Sequence, residues 1–266
     1  MSASVLDLHG VNKSFGAVQA LTDVDFHVDA GEVVALVGDN GAGKSTLIKA
    51  ISGVSTADSG QFLFEGKPAH IGSPQDATAL GIATVYQDLA LADNLDVAGN
   101  LFLGREQYLP GFLRSVYMLD DIGMEKHSSE LIRSLSSRIP SVTTPVASLS
   151  GGQRQVVAIA RSLLGEPKLV MLDEPTAALG VAQTRQVLDL ILMLKERGLA
   201  VVVISHNLGD VFEVADRITV LYLGRNAGDF MVADTTREEV VGAITSGPAA
   251  GAANGNGGNG VSGVAS

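Results

Sequence analysis

The sequence contains no cysteine. That excludes a disulfide scaffold, a thiolate metal site and a cysteine nucleophile, and it fits a reducing compartment. Basic residues are also scarce: 18 Lys and Arg stand against 29 Asp and Glu, for a formal net charge of −11. A chain this acidic repels phosphate backbones, so no nucleic acid is expected as a partner. Any anion it binds must be held by local backbone geometry. No uncharged apolar run approaches the ~18 residues that span a bilayer, so no membrane span is expected. The N-terminal stretch Met1 to Asp7 has neither a basic n-region nor an apolar h-region, so no signal peptide is expected. What is plentiful is apolar residues, at 46%, enough for a sizeable core, and glycine, at 31 residues. Glycine is well above its usual share of about 7%, which points to loops that need it.

Strand and helix signals alternate along the chain. Val5 to Lys13 and Gln19 to Val28 are rich in β-branched residues and read as strands. Glu32 to Val37 is a short apolar run that meets a glycine-rich turn, and Lys44 to Ser52 follows with helical spacing at Leu47, Ile48 and Ile51. Gln61 to Phe64 and Ile82 to Tyr86 are further strand candidates. From about Leu91 to Leu149 strand signals fade, and Met124, Leu131, Ile132 and Leu135 recur on one helical face. A largely helical insertion is expected there. A helix over Val156 to Leu164 follows, then strands at Leu169 to Leu172 and Ala200 to Ile204, with a helix over Val187 to Glu196 between them. Arg217 to Tyr222 reads as a strand and Arg237 to Ile244 as a closing helix. This alternation implies βαβ units and a mostly parallel sheet in an α/β fold. Residues 247–266 are only Gly, Pro, Ala, Asn, Ser and Val. They cannot bury enough apolar area to offset their ordering entropy and are expected as a disordered tail. Residues 1–246 then form the folded unit.

Gly38-Asp39-Asn40-Gly41-Ala42-Gly43-Lys44-Ser45, followed by Thr46, fits G-x-x-x-x-G-K-[ST] between a strand and a helix. Gly38, Gly41 and Gly43 let the backbone curl so that successive N–H groups face phosphate oxygens. The helix N-terminus adds about half a positive charge at the same point. Lys44 supplies a full charge for the β and γ phosphates, and the Ser45 hydroxyl suits Mg²⁺. This pattern reads as a nucleoside triphosphate site.

Leu169-Val-Met-Leu is followed by Asp173 and Glu174. A buried strand that ends in carboxylates places them at its C-terminal edge, where open α/β sheets bind ligands. There Asp173 can reach Mg²⁺ through a water and Glu174 can polarise an attacking water; an ordinary solvated turn is the plain alternative. Leu149-Ser150-Gly151-Gly152-Gln153 precedes a helix, with Ser150 a good N-cap. Two glycines there bare backbone N–H groups, like a second anion site. The alternative is a capped helix with a flexible start. One nucleotide cannot use both helix starts of one chain economically, so each start is expected to grip a different copy across a dimer.

At this point the chain resembles the ATP-binding cassette family over residues 5–245. The match includes the phosphate loop, Gln87 after the strand Ile82 to Tyr86, the signature Leu149 to Gln153, the Asp173–Glu174 pair, and His206 after the strand Ala200 to Ile204. The resemblance implies a phosphate-loop core with a mostly parallel sheet, an N-terminal antiparallel β subdomain and a helical subdomain inserted at about 91–149. It implies a homodimer with two ATP molecules between phosphate loop and signature. It further implies Glu174 as general base, His206 as a γ-phosphate contact, and Gln87 as a Mg²⁺ and coupling residue. Phe15 falls where the family stacks an aromatic on adenine; core packing is the alternative. A lone loop Gln is ordinarily just solvated and a lone His after an apolar strand ordinarily structural. Both follow strand C-termini here. The stretches Val85 to Glu106 and Thr176 to Val181 are similar to the ATPases of monosaccharide importers of the ribose, xylose and fructose type. That similarity implies an ATPase on the cytoplasmic face of the membrane. Its implied partners are integral permease subunits and, indirectly, a periplasmic or extracellular sugar-binding protein. A soluble cassette ATPase acting on ribosomes or DNA, or a non-enzymatic nucleotide sensor, is the rival reading. One departure stands out: the loop after Asp173-Glu174-Pro175 usually ends Ala-Leu-Asp, and here it reads Ala178-Leu179-Gly180.

Overall fold

The computed structural model describes residues 4–109, 118–135 and 139–247. Its elements begin with β1 (Ser4–Phe15), β2 (Val18–Asp29), β3 (Val33–Val37), α1 (Lys44–Ile51), β4 (Ser59–Phe64) and β5 (Lys67–Pro68). They continue with α2 (Pro74–Leu80), β6 (Ile82–Val85), α3 (Val97–Phe102), α4 (Asp121–Ser134), α5 (Gly151–Leu163) and β7 (Leu169–Asp173). The last are α6 (Val181–Glu196), β8 (Ala200–Ile204), α7 (Leu208–Val214), β9 (Arg217–Tyr222), β10 (Arg225–Met231) and α8 (Arg237–Ser246).

β3, β7 and β8 are continuous apolar runs because both of their faces are covered. Every residue of β3 and β8 is buried. They sit inside a six-stranded sheet of order β10-β9-β3-β8-β7-β6, parallel except for the β9–β10 pair. The side-chain period of two splits these strands between two cores. Val33, Ala35 and Val37 face one core with Val170, Leu172, Val201 and Val203, covered by α5 and α6. Val34 and Leu36 face the other with Leu169, Met171, Val202 and Ile204, covered by α1 and the second sheet. That second sheet is antiparallel, of order β2-β1-β4-β5.

The α/β fold and the two-sheet arrangement are as expected from sequence; two details differ. Of the expected helical insertion at 91–149, the described residues hold α3, α4 and a 3-10 turn, Val146–Ser148, while 110–117 and 136–138 lie outside the described residues. Prolines at 140 and 145 and the Ser/Thr-rich link between them break helical continuity. α5 and α6 begin earlier than their apolar periodicity does, at Gly151 and Val181, where a Gln side chain three residues into each helix holds the N-cap N–H. β10 was not legible as a strand: Arg-Asn-Ala-Gly-Asp lacks a strand composition, and its pairing with β9 imposes the conformation. Apart from Gly247, the expected tail lies outside the described residues.

One buried cation ties the layers. Arg217 in β9 is 5% exposed. Its Nε and Nη2 donate to Glu32 at 2.8 and 3.1 Å, its Nη1 to Asp229 of β10 at 3.1 Å, and its Nη2 to the His27 carbonyl of β2 at 2.8 Å. Removing one member of a buried charge group leaves the others unpaired, which costs several kcal/mol. Arg217→Ala is therefore expected to destabilise the chain by about 3 kcal/mol, the low end because Asp229 is partly solvated. Urea unfolding measures this, and an unchanged midpoint would remove the tie from the account of the fold.

Candidate active site

The parallel ladder brings four loops to one edge. Leu36 of β3 pairs with Ile204 of β8, Ile204 pairs with Asp173 of β7, and Val85 of β6 pairs with Leu172 of β7. The residues that follow these strand ends are Gly38, His206, Glu174 and Gln87. All four therefore leave the sheet along its C-terminal edge, as ligand-binding loops of open α/β sheets do.

The loop Gly38–Thr46 is shaped by glycines that no side chain could replace. Gly38 has φ +153°, and a Cβ there would stand 2.3 Å from the Leu221 carbonyl oxygen. Gly43 has φ +104° and serves as N-cap of α1, with a hypothetical Cβ 2.8 Å from the Ala20 carbonyl oxygen. α1 carries no side-chain cap and no acidic residue in its first turn. The N–H groups of Lys44, Ser45 and Thr46 thus open an uncapped, positively polarised helix start, an anion cradle. Asp39 folds back on the loop, its carboxylate accepting from the Asn40 N–H at 2.7 Å, and the Ala42 N–H reaches the Asp39 carbonyl at 3.1 Å. Lys44 Nζ donates to the carbonyls of Gly38 at 2.7 Å and Asp39 at 3.0 Å, so its charge lies across the mouth of the loop. Burial lowers the Lys44 pKa below the usual lysine value, against the opposing pull of Glu174, Asp39 and Asp173.

On the neighbouring strands, burial raises the Asp173 carboxyl above the ordinary aspartate value, and the adjacent Glu174 charge adds to this; Lys44 and Lys49 oppose it. Glu174 sits at φ +50°, an uncommon conformation for a residue with a side chain. Its N–H is anchored on the Ile204 carbonyl at 2.9 Å. Its Oε2 lies 2.8 Å from His206 Nδ1, with Glu174 17% and His206 76% exposed at the side chain. The two side chains are within ion-pair distance, and the largely exposed imidazole is accessible to a ligand. A short turn presents His206: the Asn207 N–H donates to Ser205 Oγ at 3.0 Å, and Asn207 Oδ1 caps α7 by accepting from the Gly209 N–H at 2.9 Å. His206 is thus no satisfied core residue.

Gln87 is exposed in the loop after β6. Phe15 is 52% exposed, which excludes core packing, and Lys13 Nζ lies 5.4 Å from its ring centroid. The signature residues form a separate cluster. Ser150 caps α5: its Oγ accepts from the Gln153 N–H at 3.3 Å while Gln153 Oε1 accepts from the Ser150 N–H at 2.9 Å, a reciprocal capping box. The glycines also serve packing. A Cβ on Gly151 would stand 3.0 Å from Leu179 Cδ2, and one on Gly152 2.9 Å from Gln183 Cβ. Leu149 is buried in the core beneath the turn. The loop containing Gly180 is therefore pressed onto the signature turn, and Gln183 Oε1 accepts from the Gly180 N–H at 3.1 Å.

Sequence reasoning missed three supporting residues. Thr176 Oγ1 donates to Asp210 at 2.6 Å, fixing the loop after Glu174 to α7. Asn100, fully buried in α3, bonds the main chain of Ala92, Leu95 and Asp96. Arg161 in the last turn of α5 donates to the carbonyls of Leu89 and Ala90, both at 2.8 Å. Only a buried Asn inside an apolar helical run offered a signal in the sequence.

A hydroxyl at the start of α1 and a partly buried carboxylate of raised pKa at the end of β7, on the same sheet edge, make a hard-oxygen donor set, which fits Mg²⁺. The glycine cradle fits a polyphosphate. Comparison with known proteins agrees. Residues 21–177 match the ABC transporter family. The xylose/arabinose import ATP-binding protein of Sulfolobus acidocaldarius is 47% identical over 244 residues, covering 92% of this chain and 95% of that protein. The fructose import ATP-binding protein of Rhizobium meliloti is 47% identical over 243 residues, covering 91% and 94%. Among solved structures, a nucleotide-free ATP-binding cassette from an ABC transporter aligns with TM-score 0.76 at 27% identity, covering 92% of this chain and 96% of that one. A phosphate cradle, a carboxylate pair at the same sheet edge and these likenesses lead to one conclusion: the chain belongs to the ABC transporter family, as an ATP-binding ATPase.

Proposed function

We propose that this chain powers uptake of a simple sugar through a membrane permease, from the cytoplasmic face. The sugar-import names of its relatives support the direction and the cargo class. No helix of the described residues is long and apolar enough to cross a membrane, and in this reading partner subunits supply the translocation path. A separate sugar-binding protein outside the membrane would deliver the cargo.

The observation that carries the catalytic reading is Glu174, held in a positive-φ turn 2.8 Å from His206 on the edge shared with Lys44. Lys44 and the N–H groups of Gly41 and of Gly43 through Thr46 bind the β and γ phosphates, and Phe15 stacks on adenine. Asp39, Asn40 and Ala42 shape the loop between the glycines. Ser45, Asp173 and Gln87 would hold Mg²⁺, which neutralises charge on the transferred phosphoryl group. Glu174 accepts the proton of the water as the water oxygen bonds the γ phosphorus, and the bond to the β-phosphate oxygen breaks to release ADP. His206 orients Glu174 and contacts the γ phosphate. Leu149 to Gln153 address the ATP of a second copy; the start of α5 carries two glycines that pack on the Gly180 loop.

Glu174→Gln keeps the shape of the side chain but accepts no proton at neutral pH. ATP binding is expected to survive while hydrolysis falls at least about a hundredfold, measured by phosphate release beside a fluorescent-nucleotide titration. Near-normal turnover would remove Glu174 as the base. Ser150→Arg is expected to leave binding of one nucleotide per chain intact and to block turnover. Hydrolysis at the wild-type rate would defeat the assignment of Ser150 to the partner's ATP. When the chain is reconstituted with a sugar-importer permease, ATP-dependent uptake of a labelled pentose or hexose is expected. Nucleic-acid-stimulated ATPase activity without any uptake would overturn the import reading.

A further inference from the structure

The loop from Gln87 to α3 has little regular structure of its own, yet its main chain is strapped down. Two side chains do most of this. Asn100 of α3 bonds the carbonyls of Ala92, Leu95 and Asp96 and accepts from the Ala92 N–H. Arg161 of α5 takes the carbonyls of Leu89 and Ala90, one through each terminal nitrogen, both at 2.8 Å. Two successive carbonyls rarely converge on one group, because an extended chain points them to opposite sides. Here Ala90 adopts φ +47°, and its N–H is held by Asp88 Oδ1 at 3.1 Å. That unusual conformation turns both carbonyls toward the guanidinium. The planar fork of arginine matches the pair; a lysine ammonium is a single point charge. The bonds are charge-assisted, and the one to the Leu89 carbonyl is partly buried. A second grip, Arg154 to Asp93 at 3.1 Å, is more exposed and correspondingly weaker.

The other end of the Gln87 loop is tied to the nucleotide helix: Tyr86 Oη bonds Ser52 Oγ, just beyond the last turn of α1, at 2.9 Å. Arg161 and Ser150 lie at opposite ends of α5, a 13-residue helix. A helix of that length is a stiff rod of roughly 20 Å. What moves the Gln87 loop at one end must tilt or slide the signature turn at the other.

We propose that Arg161 is a positioning residue of this ATPase: by fastening the Gln87 loop to α5 it transmits a displacement of that loop to the Ser150 end of the helix. This rests on the roles given above to Gln87 and to the signature turn. Arg161 touches neither nucleotide nor the reacting atoms. Its contribution is to make the phosphate-sensing loop and the partner-facing helix move as one body.

Hydrogen exchange on the full chain tests the linkage without relying on turnover. In the wild type, saturating ATP with Mg²⁺ is expected to slow exchange in residues 38–46, 86–92 and 150–155 together. In Arg161→Ala the change at 38–46 should persist while the change at 150–155 is lost, with kcat at least tenfold lower and KM within about threefold. Adding Gln87→Ala to Arg161→Ala should lower kcat no further than the worse single variant, since residues acting in one chain of contacts are non-additive. If Arg161→Ala does not fold, Arg161→Lys, which keeps the stem but not the fork, serves in the same comparisons with the same expected losses. Protection at 150–155 that survives in the variant, or that ATP never induces in the wild type, would overturn the proposal, as would losses that multiply in the double variant. Failure of the functional reading shows separately, as a wild-type chain without ATPase activity.

Discussion

The parallel register of the central sheet is the constraint on which everything else depends. Leu36, Ile204 and Asp173 lie in one row across three strands, and Val85 and Leu172 pair one step behind. Parallel strands bonded in this way must all end on one edge. The phosphate loop, the Glu174 turn, the His206 turn and the Gln87 loop therefore converge without any of them having to reach. A slip of one residue in any strand would exchange its two core faces and withdraw its loop from the edge. The apolar runs of β3, β7 and β8, buried on both sides, resist that slip because neither face tolerates polar substitution. The sheet thus serves as the wall between two cores and as the alignment device for the site.

Unfavourable local conformations accumulate along that same edge. Glu174, Ala178 and Ala90 all carry positive φ despite having side chains, and Gly38 and Gly43 occupy conformations and spaces closed to any other residue. Each positive-φ non-glycine costs on the order of 1–3 kcal/mol and persists only where its surroundings over-determine it. The surroundings are visible here: the Ile204 carbonyl holds the Glu174 N–H, and Arg161 holds the Ala90 turn. Burial adds an electrostatic cost, raising the Asp173 carboxyl and lowering the Lys44 ammonium. Groups disfavoured in their charged states by desolvation are groups that a charged ligand can relieve. The site's chemistry and its local instability have the same source.

Most of the sheet was legible because a strand buried on both faces writes a continuous apolar run, and the phosphate loop was legible because its geometry admits almost nothing but glycine at Gly38 and Gly43. Carboxylates ending such a strand, and a Ser-Gly-Gly helix start, likewise reflect positions where backbone and chemistry leave few choices. β10, α2 and the boundaries of α5 and α6 were not legible, since pairing with β9 or a capped first turn decides them and apolar periodicity does not register either. Arg161 escaped notice for a different reason. In sequence it is one arginine in the last turn of an amphipathic helix, where a solvated cation favoured by the helix dipole is the ordinary expectation. Only the fold reveals that the Gln87 loop passes beneath it.

The departure at Gly180 acquires meaning from the same packing. α5 and α6 start with one device: a Gln three residues into the helix returns its side-chain oxygen to the N-cap N–H, Gln153 to Ser150 and Gln183 to Gly180. At α5 the N-cap reciprocates through Ser150 Oγ; at α6 Gly180 offers no side-chain oxygen. An aspartate there would have supplied both a cap and a carboxylate on the surface. The chain instead keeps the backbone position through Gln183, whose Cβ also fills the space beside Gly152, and leaves Val181 91% exposed next to it. In the head-to-tail dimer proposed above, this part of the surface would carry no charge. Attraction between the copies would then fall chiefly to the nucleotide gripped at the signature turn, a ligand-supplied contact that hydrolysis removes.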